Sequence, residues 1–236
     1  MGRAHEVRAK AMAATAAKRS ALFNRASKEI YMAAKSGEPD PSMNLALRSA
    51  IEKWRSQNVT REVIDRAIQK AKGGSAESYT QGRYEAFGPG GSLLIVDSLT
   101  DNSNRALVEI RTAITKKGGH LGSTIFNFTE TGVFDFNGTN RDEVEETLIL
   151  SDVDVREVTI EDGVISVLVE PAAFAQARDV LTGMGVNEFI TSEITFLPNE
   201  PIELTDPEDK RKFTEMLELL DDCEDVQNVY HNVQGL

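Results

Sequence analysis

Eight cations stand in the first 35 residues: Arg3, Arg8, Lys10, Lys18, Arg19, Arg25, Lys28 and Lys35, with Glu6 and Glu29 as the acidic company. At helical spacing several of them fall along one stripe, and such a stripe attracts phosphates with a strongly salt-dependent energy. The competing reading is a solvated helix face. The charge of the rest of the chain favours polyanion contact. Residues 1–75 hold 15 Lys+Arg against 7 Asp+Glu, a balance of +8. Residues 76–236 hold 11 against 31, a balance of −20. A protein with one part that meets a polyanion, and a body that stays off it, shows this asymmetry.

Other chemistries find less support. The three histidines, His5, His120 and His231, lie in separate elements with no paired spacing, so a metal site is not expected. The single cysteine, Cys223, sits among Asp221, Asp222, Glu224 and Asp225, which should raise its pKa. It also excludes an internal disulfide. Phe87-Gly-Pro-Gly-Gly91 precedes a strand and lacks the Gly-Lys-Ser/Thr of a phosphate loop, so it reads as a turn. The carboxylates of 205–225 read as one solvated helix face. No nucleophile or acid–base set converges, so an enzyme is not expected and no cofactor is implied.

The elements that position the stripe are legible. Residues 4–75 are rich in strong helix formers. A break at 37–41 is followed by Asp40-Pro41, which predicts a capped helix start. Leu45, Ala46, Ile51 and Trp54 give that helix an apolar face. Thr60 then opens a further helix with Val63, Ile64, Ala67, Ile68 and Ala71 inward. The pair resembles a helix-turn-helix whose second helix would carry Arg61, Arg66, Gln69, Lys70 and Lys72. Any small bundle has such a pair, and a bundle is the preferred reading. Residues 73–82 read as a linker.

Beyond it the period changes. Strands are predicted at 92–99 and 124–128 around a helix at 102–117. Residues 133–197 read as a complete βαββαβ unit, and 201–230 as strand, helix, strand. The fold class is therefore α+β: an N-terminal helical bundle plus two ferredoxin-like βαββαβ domains, one inserted into the other. The domains are 1–75 (basic helical), 76–132 with 199–236 (discontinuous), and 133–198 (inserted). Lys116-Lys117-Gly118-Gly119-His120 either caps a helix or presents two lysines to a phosphate backbone. Arg105, Arg111, Lys116 and Lys117 would extend the surface begun by Arg3, Arg8, Lys10, Lys18, Arg19, Arg25 and Lys28. No apolar run could span a membrane, and the basic N-terminus reads as mature and cytoplasmic rather than as a transit peptide. The oligomeric state is not readable, and a monomer is the default.

Several segments are familiar together. Lys28-Glu-Ile-Tyr-Met-Ala-Ala-Lys-Ser-Gly37, Pro39-Asp-Pro41 with Asn44-Leu-Ala-Leu47, and Val63-Ile-Asp-Arg-Ala-Ile-Gln-Lys-Ala-Lys-Gly-Gly74 resemble the YebC/PmpR family. So do Tyr84-Glu-Ala-Phe-Gly-Pro-Gly-Gly91, Leu99-Thr-Asp-Asn102 with Asn104-Arg105, Lys117-Gly-Gly119 and Val226-Gln-Asn-Val-Tyr-His-Asn232. The tail looks like that of its YeeN-like subgroup. The resemblance implies a helical N-terminal domain, two ferredoxin-like domains, and a cytoplasmic probable transcriptional regulator that binds DNA. It also implies an alternative: mitochondrial relatives act as translational activators, and bacterial ones are connected with ribosome stalling, so ribosomal RNA or the ribosome is the other partner. A third reading is a small-ligand sensor whose pocket is lined by loops 88–91 and 118–122. The segment after Gly122 is shorter than the family's, and His120 stands where Asn is common, which puts any contact of that loop in doubt.

Overall fold

A computed structural model describes residues 3–74 and 78–236, with side chains from Lys18 onward. The helical part contains α1 (Arg3–Lys35), α2 (Leu45–Ser56) and α3 (Arg61–Lys72). Ala26, Ile30 and Ala34 recur every four residues on α1 and are buried against Leu47, Ile51 and Trp54 of α2 and Ile64, Ala67 and Ile68 of α3. The expected cap at Asp40-Pro41 is instead a turn in which Asp40 accepts from the Ser42 N–H at 2.9 Å. The helix starts at Asn44, which accepts from Leu47 N at 3.0 Å and donates its amide to the carbonyls of Ala33 and Glu38. Asn44 serves better because its amide also ties the turn to α1, satisfying polar groups that the turn buries.

The first sheet is built from β1 (Thr80–Phe87), β2 (Leu93–Thr100), β3 (His120–Leu121) and, much later, β9 (Val226–His231), in the order β3-β1-β2-β9. Helices α4 (Ser103–Thr115) and α7 (Pro207–Asp221) cover one face, where Leu94, Val96, Ile110, Ile114, Phe213, Met216 and Leu220 are buried together. The second sheet runs β4 (Phe128–Asn137), β5 (Val155–Glu161), β6 (Val164–Val169) and β7 (Thr191–Pro198), with α5 (Arg141–Leu150) and α6 (Phe174–Gly183) between them. Its order, β5-β6-β4-β7, with antiparallel neighbours throughout, is that of a ferredoxin-like βαββαβ unit. The protein is thus α+β, with the second sheet's segment lying between β3 and the return of the chain to β2. Ile95, Phe128, Phe196 and Tyr230 pack where the two sheets meet.

Element by element, several expectations are corrected. Residues 80–87, of which 80–82 were read as the end of the linker, Phe87 as the start of a turn and 83–86 as no element, form β1, which lies antiparallel along all of β2. Its side chains hid it. Tyr84 and Ala86 turn toward the core, while Gln81, Arg83 and Glu85 fall on the other side, so no run of apolar residues marks it. The strand expected at 124–128 is a 3-10 turn at Ile125–Asn127, and the strand expected at 133 begins at Phe128. Gly132 lies inside β4 because a Cβ there would stand 2.8 Å from Val169 Cγ2 and 2.9 Å from Phe174 Cδ2. It marks a close approach rather than a break. The strand expected at 201–204 as a member of the discontinuous domain's sheet is the short β8 (Ile202–Glu203), which joins neither four-stranded sheet and pairs in parallel with β10 (Val233–Gln234); β1 takes its place in the first sheet.

Candidate nucleic-acid interface

Two of the predicted phosphate ligands face the protein itself. Arg25 Nη1 lies 2.7 Å from Asp221 Oδ1, and its other amino group donates to the Asp221 carbonyl. Lys28 Nζ lies 2.9 Å from Asp225 Oδ1 and also reaches the carbonyls of Leu99 at 3.2 Å and Glu224 at 3.1 Å. Both cations sit on α1, and both acceptors flank the end of α7. A helix C-terminus carries excess negative charge, so cations are stabilised there apart from the carboxylates.

Asp225 is the centre of this joint, with its side chain 1% exposed. Its second oxygen takes Arg105 Nη2 at 2.7 Å and Nε at 3.0 Å. Arg105 also bonds Asp101 at 2.8 Å. Burial alone would push the Asp225 carboxyl up. Hydrogen bonds from Lys28, Arg105 and Thr100 outweigh that and hold it below its ordinary value. The Thr-Asp-Asn…Asn-Arg motif therefore reads as half of a clasp: Asn102 caps α4 by accepting from Arg105 N, and Arg105 meets the carboxylate that also holds α1.

The helical bundle is fixed to the second sheet's domain as well. Arg178 of α6, with a side chain 7% exposed, bonds Glu52 and donates to Ser49 Oγ at 2.9 Å, both on α2. Lys53 of α2 pairs with Glu29 and reaches Asn228 on β9. Lys117 is taken by Glu215 at 2.6 Å. Of the two readings for the Lys116-Lys117 pair, the geometry divides them, with Lys117 turned to α7 and Lys116 outward.

The cations left facing solvent cluster by domain. Lys18 and Arg19 are exposed on α1, the guanidinium of Arg19 lying 5.2 Å from the Phe23 ring centre. Arg55 of α2 and Arg66 and Lys72 of α3 are exposed and form no ion pair among the described residues. On the body, Arg111 of α4 and Lys116 at its end are likewise exposed. The side chains of Arg3, Arg8 and Lys10 lie outside the described residues. Arg66 and Lys72 entered the sequence reading only with the helix-turn-helix, which the bundle displaced, and Arg55 was not singled out. Their signal was the alternation of Arg66 and Lys72 with the buried Ile64, Ala67 and Ile68, which leaves them on the outer face.

The two glycine loops serve packing. A Cβ on Gly90 would meet Leu204 Cδ2 at 2.6 Å, and one on Gly119 would meet the Phe87 carbonyl at 2.6 Å and Ile114 Cγ2 at 2.8 Å. His120 stacks on Phe87 with ring centres 5.1 Å apart. Cys223 is partly buried, and burial, with Glu109 and Asp222 nearby, pushes its thiol up to about 11. No cluster of His, Cys, Asp and Glu suited to a metal ion occurs among the described residues, and none of their helices is long and apolar enough to cross a membrane.

Residues 3–74 match the family model of the TACO1/YebC protein N-terminal domain, and residues 79–233 that of the TACO1/YebC second and third domain. A probable transcriptional regulatory protein of Mesoplasma florum is 50% identical, covering 98% of this chain and 99% of that one. Another of that name, from Mycoplasma capricolum, is 44% identical over 99% of this chain and 100% of its own length. The probable transcriptional regulatory protein YeeN of Shigella flexneri is 44% identical over 92% of each. Among solved structures, a conserved hypothetical protein of Aquifex aeolicus superposes with a TM-score of 0.74 at 30% identity, covering 92% of this chain and 90% of that one.

Proposed function

The chain belongs to the TACO1/YebC family, and from that premise we propose that it is a nucleic-acid-binding regulatory protein without catalytic activity, its helical bundle docking on phosphates. One observation carries the reading: of seven exposed cations for which no ion pair is found among the described residues, five, Lys18, Arg19, Arg55, Arg66 and Lys72, belong to the bundle and two, Arg111 and Lys116, to the body, although the chain's net charge is −12. The body neutralises most of its own cations and presents carboxylates, which keeps it off a polyanion. Arg25, Lys28, Arg105 and Lys117 act in this reading as positioning residues that hold the bundle and shape the body. Phosphate contact rests on Lys18 and Arg19, on the outer face of α3, and on Arg111 and Lys116, with Arg3, Arg8 and Lys10 extending the same helix.

The names of the relatives favour transcription and hence DNA. Phosphate docking would serve ribosomal RNA equally, because it carries no sequence information. The test is crosslinking of the full chain to nucleic acid in cells, followed by sequencing, beside a binding titration at several salt concentrations. Promoter DNA is the expected catch. Recovery of ribosomal RNA would move the protein to translation, and no binding at low salt to either polymer would overturn the reading.

A further inference from the structure

Loops 88–91 and 118–122, expected to line a pocket, are closed by their own packing, a Cβ on Gly90 or Gly119 meeting a neighbour at 2.6 Å. Space lies elsewhere. A cavity of about 640 Å³ opens where the bundle and both sheets border one another. Met32 of α1, Leu45 and Ala46 of α2, Phe174 of α6, Ile194 of β7 and Tyr230 of β9 line it. Leu45 and Ile194 keep 37% and 43% of their surface uncovered there. Protein interiors are close-packed, with few voids larger than a water molecule. An apolar cavity of this size between domains, carrying a few polar groups, is the usual form of a small-molecule site.

The charged groups of the lining are Glu29, Lys53 and Glu193. Lys53 is committed, its Nζ lying 3.3 Å from Glu29 Oε2 and 3.4 Å from Asn228 Oδ1. Glu29 also accepts from Trp54 Nε1 at 3.1 Å. Glu193 forms no ion pair among the described residues. Two carboxylates thus face one ammonium, and the unmatched charge is that of Glu193. The Tyr230 phenol lies in the same field. Burial pushes its pKa up, and the charges of Asp97, Glu193 and Glu29 add to the rise against that of Arg83.

A carboxylate beside apolar walls is complemented by an ammonium on an apolar body. The charges pair through strong hydrogen bonds, and the body removes the walls from water. We propose that this cavity binds a small primary amine with an aromatic or branched-alkyl body, its ammonium at Glu193 and its body against Leu45, Ile194 and Tyr230. Such a molecule touches the bundle and both sheets at once, so its binding stabilises their arrangement. Neither this site nor the nucleic-acid docking depends on the other.

The probes are tryptamine and isoamylamine, each beside the alcohol of the same skeleton, tryptophol and isoamyl alcohol. They are titrated into the full-length chain by calorimetry, with melting followed in parallel. At least one amine should raise Tm and bind about tenfold more tightly than its alcohol, the difference that a charge-assisted contact makes. Glu193→Gln should bring that amine down to the affinity of the alcohol. A chain of net charge −12 attracts cations at many places, so a second variant tests the location. Ala46 is exposed and lines the cavity, and Ala46→Trp fills the space with a ring. It should abolish amine binding and leave the melting of the free protein unaltered. No binding of either amine at millimolar concentration would overturn the inference. So would an alcohol that binds as tightly as its amine, or amine binding that is unchanged in either variant.

Discussion

Lys28 Nζ on the first helix meets Asp225 Oδ1 at 2.9 Å, across 197 positions of sequence, and the carboxylate it meets is 1% exposed. A cation expected to bind a phosphate is thus committed to the protein's own anion. The joint between bundle and body has the chemistry of a phosphate contact turned inward.

Removing one partner of a buried pair leaves the other uncompensated, which typically costs about 3–5 kcal/mol. Arg105 still faces Asp225 when Lys28 is replaced, so Lys28→Met should cost less, about 2 kcal/mol by that scale. Asp225→Asn strands two cations and should cost more than Lys28→Met. Urea denaturation followed by circular dichroism checks the order, and equal midpoints for wild type and both variants would refute the clasp.

The same carboxylate sets an acid limit. Its folded pKa lies below the ordinary value, so the unfolded chain takes the proton first as pH falls. The stabilisation is complete above the ordinary carboxylate pKa of about 4 and is lost as pH drops from there through the folded value. Thermal melts from pH 6 down to about 3 should show a steep acid branch in wild type and a shallower one in Asp225→Asn. Parallel branches would remove Asp225 from the account.

The outward and inward cations should fail differently. Lys18→Glu with Arg19→Glu, or Arg66→Glu alone, should weaken nucleic-acid binding and lower the log–log salt slope by about one for each phosphate no longer neutralised, with melting unaltered. Arg25→Glu faces Asp221 and should lower the melting temperature instead. Binding that survives the double reversal with its slope intact would place the polyanion elsewhere.

Cys223 should be a poor nucleophile. With its thiol at about 11, little thiolate exists at neutral pH. Alkylation by iodoacetamide at pH 8 should be slower by about tenfold or more in the folded chain than in urea, after allowing for the greater intrinsic reactivity of a high-pKa thiolate. Equal rates would show that the thiol is neither buried nor beside the carboxylates.

Much of this molecule is local and was readable from residue order. The three helices of the bundle follow from the recurrence of Ala26, Ile30 and Ala34 and its counterparts in α2 and α3, because helix periodicity is a property of near neighbours. The βαββαβ order of the second sheet follows for the same reason. The surplus of cations in residues 1–75 is a count, and needs no fold at all. What residue order could not supply was each group's partner. The unbroken run of β4 through Gly132 was missed because Val169 and Phe174, which demand its bare Cα, are far along the chain. Strand β1 went unread because β2 and two distant helices supply the apolar contacts that it lacks itself. Arg25 and Lys28 looked like Lys18 and Arg19, all basic residues on one helix. Only the return of the chain past residue 220 places carboxylates against the first two and leaves the others in water. A charge is fixed by its side chain, but its use depends on what folding brings within about 4 Å, where Coulomb attraction in a partly desolvated site becomes several kcal/mol.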